Sequence, residues 1–140
     1  MAPGIASLLV AASAAIVLVL GSLHLLYTFR GNKLDQREPG LRQTMEQSAP
    51  RITRETTMWR AWVGFNATHS LGILLFGLNY GYLALTAPGL LFGSLFLQAL
   101  ALVLLASYVV LARLYFFSVP FRGVVTATLL YIAGITVAAV

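Results

Sequence analysis

The feature that most limits the fold of this chain is a long stretch without charge. No Asp, Glu, Lys or Arg occurs from Ala61 to Ala112, a run of 52 residues. One helix needs only about 20 apolar residues to cross a bilayer, so the run exceeds what a single span can use. Residues 86–89, Thr-Ala-Pro-Gly, interrupt it with residues that end helices. The run therefore predicts two consecutive transmembrane helices, over residues 59–85 and 89–113.

Two further apolar segments flank this pair. Residues 5–29 are almost continuously apolar and uncharged, and residues 120–140 carry a single charge at Arg122. They predict a first helix over 5–29 and a fourth over 120–140. A cleaved signal peptide is the alternative for the first segment, which lacks the basic residues that normally precede one. The predicted fold is an all-α, polytopic integral membrane four-helix bundle, with residues 1–140 forming a single membrane domain.

The composition agrees with a bilayer as the main solvent of the chain. Of its 140 residues 59% are hydrophobic and only 9% are charged, whereas soluble domains carry about 25% charged residues. The mean hydropathy is +0.87. The chain has no cysteine, which excludes disulfides, cysteine-ligated zinc and iron–sulfur clusters. The net charge of +5 forms no basic stripe interleaved with aromatic residues, so we expect no nucleic-acid partner.

The charges indicate how the four helices are oriented. All nine Lys and Arg residues lie in or beside the first and third connections, and the second connection has none. By the positive-inside rule, the connection over residues 30–58 is cytoplasmic and both termini lie outside. Within this connection, Leu41 and Met45 fall on one face at helical spacing between Pro39 and Pro50. This pattern predicts a short interfacial helix between helices 1 and 2.

Small residues recur at four-residue spacing along the second helix, which is the usual packing device of helices in lipid. They are Gly64, Thr68 and Gly72, followed by Gly77 and Gly81. The spacing predicts close helix packing. It leaves open whether the partner is another helix of this chain, a second copy in a homo-oligomer, or another membrane protein.

Several polar residues lie inside the apolar runs of helices 1 and 2. At about 1.5 Å per residue, His24 lies roughly 9 Å from the boundary marked by Arg30, and His69 roughly 14 Å from that marked by Arg60. The two histidines, which are the only ones in the chain, therefore share the cytoplasmic half of neighbouring helices. The predicted polar cluster comprises His24, Tyr27, Asn66 and His69, with Arg60 near its mouth.

The cluster admits three interpretations. Its side chains can hydrogen-bond between helices and hold helix 1 to helix 2. Alternatively, His24 and His69 can be the axial ligands of a haem b; no other metal site is expected. A third alternative is a lipid-substrate enzyme that uses the histidine pair for proton transfer.

The distribution of carboxylates bears on the enzyme alternative. No Asp or Glu lies within a predicted span, and Glu55, just before helix 2, is the nearest along the chain. Acid–base mechanisms and metal hydrolases usually need such a group. We therefore expect an accessory or binding protein without a cofactor rather than an enzyme.

Two motifs resemble a known group of proteins. GSLHLLYTF at residues 21–29 and RAWVGFNATHSLG at residues 60–72 resemble sequences of small bacterial four-helix membrane proteins of uncharacterised function. The resemblance implies the same four-helix topology and a bacterial inner membrane. It implies no catalytic or binding residue.

Overall fold

The computed structural model of this chain describes residues 4–140, so residues 1–3 of the expected membrane domain lie outside it. The described part is all-helical and contains no strand. Its helices are α1 (Ile5–Phe29), α2 (Leu41–Gln47), α3 (Met58–Thr86), α4 (Pro88–Gly93), α5 (Leu95–Tyr115) and α6 (Ser118–Ala138). Helices α1, α3, α5 and α6 are long and apolar enough to cross a membrane. The prediction of an all-α fold with four candidate membrane-spanning helices is thus confirmed.

Local chemistry accounts for both ends of α3. At its start, the Thr57 hydroxyl accepts a hydrogen bond from the backbone N–H of Arg60 at 3.3 Å, as a helix-capping residue does. At its end, Pro88 disfavours helical geometry at the residue before it, and Ala87 has φ −138° and ψ 52°. The chain therefore leaves α3 after Thr86, and Pro88 begins the next helix.

The segment that the sequence predicts as one helix over 89–113 is two helices in the structure. The backbone leaves helical geometry at Ser94, where φ is −106° and ψ is 104°. The Ser94 hydroxyl accepts from the backbone N–H of Leu97 at 3.3 Å and so caps α5. A single polar residue after Gly93 thus separates the short α4 from α5.

The described chain forms two compact units. The first comprises the chain up to Leu20 together with Ile73–Val140, and the second comprises Gly21–Gly72. The core of the first unit contains Val10, Leu105 and Tyr131, all 0–1% exposed.

Small residues let helices approach closely within the first unit. A Cβ atom added at Gly134 of α6 would lie 2.7 Å from Cγ2 of Val10 and 3.0 Å from the backbone oxygen of Ala6. A Cβ added at Gly77 of α3 would lie 2.7 Å from Cγ of Leu18. These contacts leave no room for a side chain, so glycine is what allows α3 and α6 to pack against α1.

The buried hydroxyl groups of the first unit differ in whether they have a hydrogen-bond partner. The Ser13 hydroxyl of α1 donates to the Ala127 carbonyl of α6 at 2.7 Å, and the Tyr80 hydroxyl of α3 donates to the Leu97 carbonyl of α5 at 2.7 Å. The buried hydroxyl of Tyr131 has no hydrogen-bond partner among residues 4–140. Its ring instead meets that of Tyr80 edge-on, with centroids 6.0 Å apart.

The two tyrosines make a matched pair for a stability measurement. Tyr131→Phe removes a buried hydroxyl that lacks a partner, so we expect it to stabilise the fold by about 1 kcal/mol. Tyr80→Phe removes a hydroxyl bonded between helices, so we expect a loss of about 1 kcal/mol. Unfolding of both variants in mixed detergent micelles measures the difference. A loss of equal size in both variants would contradict this assignment of the two hydroxyl groups.

Candidate functional site

The candidate site in the second unit is built around the side-chain amide of Asn66. Its Nδ2 donates to the backbone carbonyl of Trp62 one turn earlier at 2.8 Å, which fixes the orientation of the amide. Its Oδ1 is therefore left free to accept a hydrogen bond from outside α3, and it lies 2.9 Å from Nε2 of His24. Because Oδ1 can only accept, Nε2 of His24 must carry the proton of this bond. The bond joins α1 to α3 between two partly buried side chains.

His69 completes the cluster. It follows Asn66 by three residues, which places both side chains on one face of α3. Its ring meets the ring of His24 edge-on, with centroids 5.4 Å apart and planes at 81°. The structure thus brings together His24, Asn66 and His69.

A small cleft of about 10 Å³ adjoins this cluster, which is room for roughly one water molecule. Three elements line it: the end of α1, the beginning of α3, and the connection that follows α1. The lining residues are Tyr27, Thr28, Leu34, Asp35, Trp59, Trp62, Val63 and Asn66. Asn66 therefore contributes both to the bond between the helices and to the wall of the cleft.

The carboxylate nearest the cleft is one that the sequence analysis missed. Asp35 lines the cleft, whereas Glu55, the nearest acid along the chain, does not. The connection turns back at Gly31, directly after α1. The φ of Gly31 is +84°, a conformation that suits glycine. This turn carries Asp35 to the cleft. No local pattern in the sequence signals this return, because it depends on the path of the whole connection.

Arg42 of α2 holds the connection in place. It donates to Asp35 Oδ2 at 3.1 Å and to Glu46 Oε1 at 3.0 Å. Its guanidinium also lies 4.3 Å from the centre of the Trp59 ring, a cation–π contact with α3. The hydrogen bond that Arg42 donates to Glu46 and the negative charge of Asp35 raise the pKa of Arg42. One side chain therefore links α2, the residues after α1 and the start of α3.

The other predicted site residues lie at different places. Tyr27 lines the cleft, and its hydroxyl accepts from Lys33 Nζ at 3.3 Å. Arg60 is exposed at the start of α3 and is not among the residues that line the cleft.

The two groups of small residues on α3 also differ. Gly64, Thr68 and Gly72 are exposed, and a Cβ added at either glycine would meet open space. Gly77 packs against α1 as described above, and a Cβ added at Gly81 would lie 3.4 Å from that of Ala14. Close packing of glycine therefore occurs at the second pair, whereas within residues 4–140 no atom beyond the neighbouring part of α3 lies within 4 Å of a Cβ added at Gly64 or Gly72.

The cluster offers few ligands for a metal or cofactor. Within residues 4–140 no group of three His, Asp or Glu side chains is placed to hold a metal ion. A haem with two axial histidines needs room for the porphyrin between the two imidazole rings. In this structure the rings of His24 and His69 touch directly, so haem binding requires them to separate.

Comparison with other proteins adds no identification. No protein-family profile, curated protein or solved structure matches this chain.

Two asparagines of α3 allow a controlled test of the cluster. Asn66 and Asn79 both donate Nδ2 to the carbonyl one turn earlier at 2.8 Å, but Asn79 is exposed. We expect Asn66→Leu to lower the free energy of unfolding by about 1 kcal/mol, because it leaves Nε2–H of His24 without its acceptor. Asn79→Leu should change it little. Equal losses in both variants, measured by unfolding in mixed micelles, would contradict a role of the bond in joining α1 to α3.

Proposed function

We propose that this chain is an integral membrane protein of a bacterial inner membrane, with both termini outside and residues 30–58 in the cytoplasm. Four helices that can span a bilayer support the proposal. So does the charge distribution, since every Lys and Arg lies in or beside the first and third connections. The choice of a bacterial inner membrane rests on the resemblance of residues 21–29 and 60–72 to bacterial membrane proteins.

Within that membrane we propose an accessory or binding role centred on the cluster of His24, Asn66 and His69. The observation that carries this proposal is the dual position of Asn66, which bonds His24 and lines a polar cleft beneath the connection. A group bound in the cleft contacts the same amide that joins α1 to α3. Ligand or partner binding is thereby coupled to how these helix ends are held together.

The cleft is closed by contacts that can open at low cost. The side chains of Arg42 and Glu46 are about half exposed, and the two ion pairs that Arg42 makes, with Asp35 at the cleft and with Glu46, are of the kind that contributes only about 0–1 kcal/mol per pair. A ligand larger than one water therefore enters by displacing the connection, without unpacking the helices. Asp35 also supplies a carboxylate near the cluster, but its pairing with Arg42 neutralises it, which favours binding over acid–base catalysis.

The proposed topology predicts the outcome of cysteine labelling, for which the chain is suited because it has no native cysteine. Lys33→Cys lies in the first connection and Ala87→Cys in the second. We expect a membrane-impermeant maleimide to reach position 87 in intact cells and position 33 only after the membrane is opened. Labelling of both positions from the same side would contradict the four-span topology.

The binding role predicts what the purified protein carries. After extraction in mild detergent, native mass spectrometry should find the wild type with an additional bound molecule or protein. His24→Ala should lose this mass because the cleft wall loses its support, whereas the control Asn79→Leu should retain it. A bare monomer of the wild type in every mild detergent would contradict the proposal.

The absorption spectrum of the same sample decides the haem alternative. A Soret band that disappears in both His24→Ala and His69→Ala would replace the proposed role with haem b binding. A colourless preparation removes that alternative, and the bound mass is then a different ligand or a partner.

A further inference from the structure

One apolar side chain of the connection is held outward on an ordered turn. Ile52 is 93% exposed, the most exposed large hydrophobic side chain outside the chain terminus. The loop that carries it, residues 48–58, is closed at its base by a hydrogen bond from the Met58 N–H to the Ser48 carbonyl at 2.8 Å. Within the loop, the Thr53 N–H donates to the Pro50 carbonyl at 3.3 Å. Ile52 therefore projects outward from a turn that is held by backbone hydrogen bonds.

Basic residues surround this side chain. Arg51 and Arg54 flank it, both are exposed, and neither has an ion pair within residues 4–140. From Arg30 to Arg60 the chain has seven basic residues against four acids, a net charge of +3. Two of those acids are engaged by Arg42, as described above. The surface around Ile52 is therefore positive, and the acids available to neutralise it are Glu38 and Glu55.

The 48–58 loop lies beside the end of α3 that we expect at the membrane surface. It closes on Met58, the first residue of α3, next to Trp59, an aromatic residue of the kind found at the membrane–water interface. An apolar side chain flanked by arginines at that level enters the headgroup layer while the guanidinium groups bind phosphate. A single isoleucine offers far less than the roughly 800 Å² per partner of a stable protein interface.

We propose that the 48–58 loop is a binding site for anionic phospholipid of the surrounding bilayer. Ile52 inserts between the acyl chains and headgroups, and Arg51 and Arg54 pair with lipid phosphates. The negative surface of a cytoplasmic leaflet attracts such basic segments. This inference rests on the proposed membrane location and adds the chemistry that the connection recognises.

Single-cysteine variants of the full chain test the inference. Ile52→Cys is labelled with an environment-sensitive NBD fluorophore and reconstituted in nanodiscs of phosphatidylglycerol or of phosphatidylcholine. Gln43→Cys is the matched control, because it lies on the face of α2 opposite Leu41 and Met45. Val103→Cys, on the exposed apolar surface of α5, reports whether the helices are in lipid at all.

In phosphatidylglycerol we expect blue-shifted emission at position 52 and iodide quenching several-fold weaker than at position 43. In phosphatidylcholine this protection should be smaller, because only the apolar probe at position 52 contributes there and the arginines have no anionic lipid to pair with. Adding Arg51→Gln and Arg54→Gln to Ile52→Cys should abolish the difference between the two lipids. High salt should reduce it, since exposed charges are screened.

Two results would overturn the inference, and they differ in whether the proposed membrane location is overturned with it. A water-exposed probe at position 52 with a lipid-buried probe at Val103 overturns the lipid site alone and leaves a protein partner as the occupant of the turn. Water-exposed probes at both positions overturn the membrane location and the inference together.

Discussion

Polar side chains within long apolar helices need hydrogen-bond partners, and this requirement determines how the helices of each unit are held. Many Ser, Thr and Asn side chains bond to the carbonyl one turn earlier in their own helix, as Ser107 and Thr126 do. Such bonds satisfy the side chain but contribute nothing to tertiary structure. Other polar side chains bond to a different helix instead, as Ser13 does to Ala127, Tyr80 to Leu97, Gln98 to Phe92 and His24 to Asn66. They supply the directional contacts that apolar surfaces alone do not provide.

Asn66 differs from the other polar residues because it makes both kinds of bond. Its amide nitrogen satisfies its own helix, and its oxygen bonds to His24, so the two ends of one side chain serve different purposes. The same side chain lines the cleft beneath the connection. In the proposed role, a group bound there would act directly on the bond between α1 and α3. Stability and the proposed binding role thus depend on the same atoms, and a substitution at Asn66 affects both.

The connection over residues 30–58 has more structure than its polar composition indicates. Arg42 joins Asp35, Glu46 and the Trp59 ring, which places the connection over the cleft. Because Arg42 engages these two acids, the remaining exposed arginines are left largely without counter-charges of the chain itself. The positive charge that indicates orientation in the sequence is therefore also available to bind anionic lipid around Ile52. In these two proposals, one segment both closes the cleft and contacts the membrane surface.

The sequence by itself determined the number, type and approximate position of the four long apolar helices. These follow from charge and hydropathy along the chain, and the 5–29 helix was predicted at its observed bounds. The positions of His24, Asn66 and His69 along their helices were also readable, because they depend only on the number of residues from a charged boundary. Only the tertiary structure decided that Gly77, and not Gly64, packs against α1, and that Asp35 lies at the cleft. Those outcomes depend on how each helix is rotated and where the connection turns back, which composition and periodicity do not specify.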